Sequence, residues 1–245
     1  MPVQKYELWE EVWNFVGDLR KFFKSLMESG DYSTRVSALD SLSHKSKELS
    51  LAVTQLGHKE LQLVCSPFSI KMDELVKKPS SLGPESLRFV AFVLDYLCEV
   101  SGKEPSPLDF GKDRQFRVLI IDDEPLSLRA TGVALETHGF VISTQNDSYS
   151  SLSLFDLESW DVMLLDVEMP ELNGYQLCEK IRESNFNSQT PVIFVTGNNI
   201  KEIKQKAKEC GANDIVSKPF SFSELSVRCW IWAFTSIRSP QKIVA

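Results

Sequence analysis

The sequence predicts two domains, an N-terminal all-α helical bundle followed by an α/β domain on a doubly wound, five-stranded parallel sheet. Three observations predict this. Residues 1–101 carry only the three- and four-residue apolar spacing of amphipathic helices. Residues 102–112 hold Gly102, Pro105, Pro107 and Gly111, which punctuate a chain rather than continue a helix, and so read as a linker. From 113 to 240, short β-branched runs alternate with helical stretches.

The elements follow in order. Residues 5–29 place Trp9, Val12, Trp13, Val16, Leu19, Phe23, Leu26 and Met27 on one helical stripe. Residues 34–57 repeat this with Leu39, Leu42, Leu49, Val53 and Leu56, broken by Ser46. Residues 61–76 form a third helix, which Pro67 should kink or split. The fourth begins at Pro84, a favoured first-turn residue, and runs to about Val100. Short links between four such helices predict an antiparallel four-helix bundle. In the second half the predicted strands are 117–121, 140–144, 161–165, 191–195 and 213–217. Their apolar runs are continuous rather than alternating, as in a parallel sheet covered on both faces. Helices are predicted at 126–138, 149–158, 173–185, 200–210 and 221–237. The last carries large apolar residues around most of its circumference, which predicts a contact surface around Trp230 and Trp232, with the bundle or in a homodimer.

In an open parallel sheet, ligands bind at the carboxyl ends of the strands. Those ends carry Asp122, Asp123 and Glu124 after the first strand, Asp166 after the third, Thr196 on the fourth and Lys218-Pro219 after the fifth. Clustered carboxylates repel one another and call for a hard divalent cation. Mg²⁺ prefers a few carboxylates together with water and phosphate oxygens. A lysine and a threonine beside them suit a phosphoryl group, with Asp166 as nucleophile.

The blocks VLIIDDEP, LLDVEMPELNGYQL, VIFVTG and SKPF, in this order and spacing, resemble the receiver domain of two-component response regulators over about residues 114–237. The resemblance implies a flavodoxin-like receiver fold. It implies that Asp166 accepts a phosphoryl group from a phosphohistidine, with Mg²⁺ held by Asp122, Asp123, Asp166 and the main-chain carbonyl of Glu168. Thr196 and Lys218 would engage the phosphoryl oxygens, and the Lys218–Pro219 bond is expected to be cis. The partner would be a sensor histidine kinase or a histidine phosphotransfer protein. Catalysis would be at most self-catalysed phosphoryl transfer and dephosphorylation. One departure is Ile215, three residues before Lys218, where the family often carries an aromatic residue.

In the second helix His44 lies opposite the apolar stripe. His44 and Lys47 match the histidine and lysine of the H-x-x-K-G pattern of histidine phosphotransfer (Hpt) bundles, with Glu48 in place of the glycine. On this partial resemblance His44 would be a second phosphate carrier in a phosphorelay. The alternatives are a surface histidine on a bundle used for partner binding, or an interaction scaffold that is never phosphorylated.

Composition bounds these readings. Of the 245 residues 27 are basic and 34 acidic, for a net charge of −7. Residues 1–112 carry 14 basic against 16 acidic side chains and 113–245 carry 13 against 18, so neither half suits nucleic acid. Five cysteines without C-x-x-C spacing argue against a disulfide framework or a zinc site and fit a reducing compartment. No signal pattern or membrane span is evident, so a cytoplasmic location without membrane contact is expected.

Overall fold

The structure is a computed structural model and describes residues 3–101 and 114–238. Chain contacts divide it into two compact units, 1–110 and 111–245. The predicted linker, 102–112, lies outside the described residues.

The first unit holds helices α1 (Val3–Glu28), α2 (Tyr32–Leu56), α3 (Lys59–Lys77) and α4 (Pro84–Ser101). Local chemistry sets their ends. Asp31 caps α2, its side chain accepting from the Thr34 amide, and Gly57 closes it in the left-handed region at φ 71°. The His58 side chain then caps α3 by accepting from the Leu61 amide. Most of the predicted stripe residues are interior: Trp9, Val12, Val16, Leu19, Leu26, Leu39, Leu42, Leu49 and Val53 are buried, whereas Trp13, Phe23 and Leu56 are half-buried and Met27 is exposed at the end of α1. α1 packs on α2 and α4, and α2 packs on α3. Phe68 meets Phe89 at a ring distance of 6.1 Å, joining α3 to α4, and the Tyr96 hydroxyl donates to Glu60 between the same helices.

The expected split at Pro67 does not occur, and α3 runs unbroken through it. A mid-helix proline costs about 3 kcal/mol. Here Pro67 is itself buried, among Val64, Cys65, Phe68 and Met72, and that packing outweighs the lost hydrogen bond.

The second unit alternates β1 (Phe116–Ile121), α5 (Pro125–Thr137), β2 (Phe140–Gln145), β3 (Val162–Leu165), α6 (Gly174–Glu183), β4 (Val192–Thr196), α7 (Ile200–Glu209), β5 (Asp214–Ser217) and α8 (Phe222–Arg238). The sheet is parallel throughout, in the order β2-β1-β3-β4-β5. The central strands β3 and β4 are buried along their whole length, which accounts for their unbroken apolar sequence. The helix expected at 149–158 is instead a 3-10 segment at Ser150–Phe155. Its serines turn back on nearby groups: Ser150 on Asp147, Ser151 on the Ser148 carbonyl and Ser153 on the Ser150 carbonyl. Such local bonds compete with an α-helical ladder.

Nearly all of α8 between Ser223 and Phe234 is buried. Trp230 stacks on Phe140 at 4.0 Å and on Phe234 at 5.3 Å, and meets Phe116 edge-on. The sequence reading of Trp230 as a contact surface is therefore corrected, because this ring belongs to the domain's own aromatic core. Trp232 is only part-buried, and its indole N–H donates to Asp214 at 3.3 Å. No described helix is long and apolar enough to cross a membrane.

Replacing Trp230 with Ala should lower the stability of the second unit by about 3–5 kcal/mol. Urea denaturation followed by circular dichroism measures this, and an unchanged midpoint would contradict the interior role of the ring.

Candidate functional site

Strand geometry brings the acidic residues together. β1 delivers Asp122 and Asp123, and β3 delivers Asp166, whose amide donates to the Ile121 carbonyl at 2.9 Å. Ligand oxygens of Asp122, Asp123 and Asp166 all lie within 4.8 Å of one another. Asp122 is buried at 4% exposure, Asp166 is largely covered and Asp123 is exposed. Each Asp122 oxygen is engaged: Oδ1 accepts from the Glu124 amide at 2.9 Å, and Oδ2 accepts from Ser127 at 2.6 Å and Lys218 at 2.7 Å. The Lys218 ammonium also lies 3.7 Å from Asp166. The Lys218–Pro219 bond is cis.

Burial pushes the Asp166 carboxyl up to about 6, opposed by the Lys218 charge and reinforced by Asp122 and, last, Asp123. Thr196, 1% exposed, ends β4 at the same edge. Its hydroxyl accepts from the Asn198 amide at 3.2 Å, and the Lys218 amide donates to its carbonyl at 2.7 Å. The structure thus gathers Asp122, Asp123, Asp166 and Lys218, and ties Thr196 to Lys218 through the backbone. Glu168 is exposed, and its side chain accepts from Asn198 at 3.0 Å. Both residues line a cleft of about 620 Å³, together with Tyr175, Glu202, Ile203 and Lys206 among others. Ile215 packs against the core on this side of the sheet, in the company of Tyr175 and Phe194. His44 belongs to the other unit. Its side chain is 78% exposed, with Nε2 3.4 Å from Glu48.

An all-oxygen set of three acids suits a hard cation such as Mg²⁺ and not a thiolate-loving metal. Asp122, Asp123 and Asp166 are the side chains that could hold it.

Residues 118–229 match the family model described as the response regulator receiver domain. The C-terminal unit is a receiver domain. The receiver is 36% identical over 121 residues to a probable transcriptional regulator, ycf27, of Guillardia theta, covering 49% of this chain and 46% of that one. It is 32% identical over 116 residues to the sensor histidine kinase RcsC of Salmonella typhi, covering 47% of this chain and 12% of that one. A solved Francisella response regulator receiver domain is 29% identical with a TM-score of 0.47, covering 50% of this chain and 99% of that one. The chain thus spans less than half the length of these curated relatives.

Three supporting residues in the receiver escape a search for charged or metal-binding side chains. Ser127, five residues after Asp122, fixes that carboxylate. Ser148 is buried, and its hydroxyl donates to the Pro170 carbonyl and accepts from the Leu172 amide, pinning the loop after β3. Gly174 starts α6 where a Cβ would lie 2.3 Å from the Asp166 carbonyl oxygen. The sequence signal for Gly174 is the reciprocal capping box of Asn173 and Gln176 around it. That box fixes a helix start on top of the Asp166 loop.

Gly174→Ala should therefore displace Asp166 and weaken divalent-cation binding roughly tenfold or more, a cost of at least about 1.4 kcal/mol. Calorimetric titration with Mg²⁺ reads this, and wild-type affinity would contradict the steric argument. Asp166 also predicts a pH dependence. Its folded pKa of about 6 exceeds the ordinary 3.8, so the native state binds the extra proton. Its contribution to stability falls as pH rises from about 4 to 6 and stays low above that. In chelator, Asp166→Asn should gain about 1–3 kcal/mol over wild type at pH 7 and little at pH 4. Denaturant titrations at the two pH values measure the difference.

Proposed function

We propose that the protein is a two-component response regulator whose receiver accepts a phosphoryl group on Asp166 and thereby controls the N-terminal helical unit or a partner. The observation that carries this reading is the Asp166 carboxylate set between Asp122, Asp123 and the Lys218 ammonium. The donor is a phosphohistidine of a sensor histidine kinase or a histidine phosphotransfer protein. An Asp166 oxygen attacks phosphorus, the oxygen–phosphorus bond forms, the phosphorus–nitrogen bond breaks, and the electron pair leaves on the imidazole. Bound Mg²⁺, held by Asp122, Asp123, Asp166 and the Glu168 carbonyl, would neutralise oxygen charge that the acids alone would repel. Lys218 balances the charge arriving on the phosphoryl oxygens, and the buried Thr196 hydroxyl has a proton to donate to them. A turn of the Thr196 hydroxyl toward the phosphoryl oxygens would shift its Asn198 contact, and Asn198 in turn holds Glu168 beside the adjacent cleft. With Ile215 in place of an aromatic partner, that cleft is the route by which the change would travel.

The relatives share the receiver and carry different printed roles, a transcriptional regulator and a sensor kinase. The output therefore belongs to whatever accompanies the receiver, here the helical unit. The acidic balance and the absence of a spanning helix among the described residues support action in the cytoplasm without nucleic acid or membrane contact. A homodimer through the last helix would use its part-buried Trp232 edge. A relay in which His44 also carries phosphate is favoured by its exposure and opposed by Glu48 at its ring.

Incubation with Mg²⁺ and a small acyl phosphate should add one phosphoryl mass to the intact protein, and Asp166→Ala should abolish it. Lys218→Ala should slow the gain roughly 10²-fold. A phosphoryl mass on Asp166→Ala would sink the reading, and its acid lability would point to His44.

A further inference from the structure

Cys178 and Cys210 are separated by 32 positions in sequence and meet in the receiver interior. Cys178, on the buried face of α6, donates its thiol to the Cys210 carbonyl at 3.2 Å. Cys210 caps the C-terminal end of α7 and donates its own thiol to the Ala207 carbonyl at 3.2 Å. A Cys178 sulfur this close to the Cys210 backbone is within a side chain's length of the Cys210 sulfur. The juxtaposition is held rigidly. Arg182, one turn beyond Cys178, donates two bonds to the Gly211 carbonyl at 2.8 and 3.1 Å and one to Asn213. The α6 end is thereby clamped to the residue that follows Cys210.

The other cysteines lack this setting. Cys65 and Cys229 are fully interior, and burial pushes their thiols up, Cys65 to about 12. Burial also raises Cys98. Cys178 and Cys210 shift in opposite directions, Cys178 up and Cys210 down, because each thiol perturbs the other more than burial does. The member that is lowered presents more thiolate near neutral pH. Cys210 lies at the end of a helix and is 6% exposed, whereas Cys178 is fully enclosed. That fits an attacking and a resolving thiol.

We infer that Cys178 and Cys210 are a redox modification site, a thiol pair that a hydroperoxide converts into an intradomain disulfide and a thiol reductant restores. In the first step the Cys210 thiolate attacks the peroxide. The oxygen–oxygen bond breaks, a sulfur–oxygen bond forms, and the leaving oxygen takes up protons as water, or as an alcohol from an organic hydroperoxide. In the second, the Cys178 thiol attacks the sulfenic sulfur. A sulfur–sulfur bond forms, and the hydroxyl leaves as water with the Cys178 proton. Two thiols lose two electrons in all, and one peroxide is reduced by two. The new bond would tie α6 to the segment that leads into β5, and so to Lys218 at its far end. The inference stands on the cysteine geometry and is independent of phosphorylation at Asp166.

The test uses the full chain. Protein treated with hydrogen peroxide, then denatured and alkylated with a maleimide, should lose two of its five alkylation sites. Peptide mapping should recover Cys178 linked to Cys210, and dithiothreitol should restore all the sites. Cys98→Ser should behave as wild type. Cys178→Ala should form no disulfide and hold Cys210 as a sulfenic acid that dimedone captures. Cys210→Ser should give neither product. Full alkylation after peroxide, a bridge that uses Cys98, or dimedone labelling that persists in Cys210→Ser would each overturn the inference.

Discussion

Three carboxylates within 4.8 Å of one another form the constraint around which the receiver is built. At an effective dielectric of about 20, a pair of unit charges at that distance repels by about 3 kcal/mol. The acids cannot relax apart. The Asp166 amide is bonded to the Ile121 carbonyl and the Asp122 amide to the Gln145 carbonyl, so the β2-β1-β3 pairing holds both at the sheet edge. The protein answers in two ways. Lys218, at the end of β5, reaches both Asp122 and Asp166, and Asp166 takes a pKa raised first by burial and then by the neighbouring acids. Repulsion that the fold alone cannot remove is what an arriving cation would relieve.

The same strand ends govern the loops above them. The segment from Asp166 to Gly174 must leave β3 and begin α6 within a few residues. It does so through a left-handed Glu171 at φ 64°, a conformation that non-glycine residues adopt at a cost. The Ser148 hydroxyl and the Asn173–Gln176 capping box hold that conformation from either side. Gly174 matters here for close approach rather than for backbone freedom, since a single methyl would meet the Asp166 carbonyl.

These causes also explain what was legible in the sequence. A fully covered parallel sheet needs uninterrupted apolar strands, so the strands were plain, and the site acids follow them directly. The reading failed where side chains compete with the backbone, as in the serine-rich 150–155 segment, and where packing outweighs propensity, as at Pro67. Trp230 was misplaced because periodicity cannot tell which of two apolar faces of α8 meets a neighbour; the answer depends on Phe116 and Phe140, far away in sequence. Ser127 and Ser148 carry no chemical signature of their own. Their importance comes from the oxygen or amide each one reaches.

The helical unit was legible as helices but not as chemistry, and electrostatics explains why its histidine differs from the receiver's aspartate. Asp166 is partly desolvated, among charges fixed by strands. His44 stands in solvent on α2, with the Glu48 carboxylate 3.4 Å from its ring, while the neighbouring Lys45 is drawn to Glu48 and Asp18. Lys47, the residue that would steady a phosphoryl group on His44, is paired at 2.7 Å with Asp73 on α3. A phosphohistidine there would have an acid beside it and its lysine engaged elsewhere, and an incoming acidic receiver site would meet like charge. Side chains would have to let go of their partners before phosphate could bind there, whereas at Asp166 the lysine already faces the carboxylate.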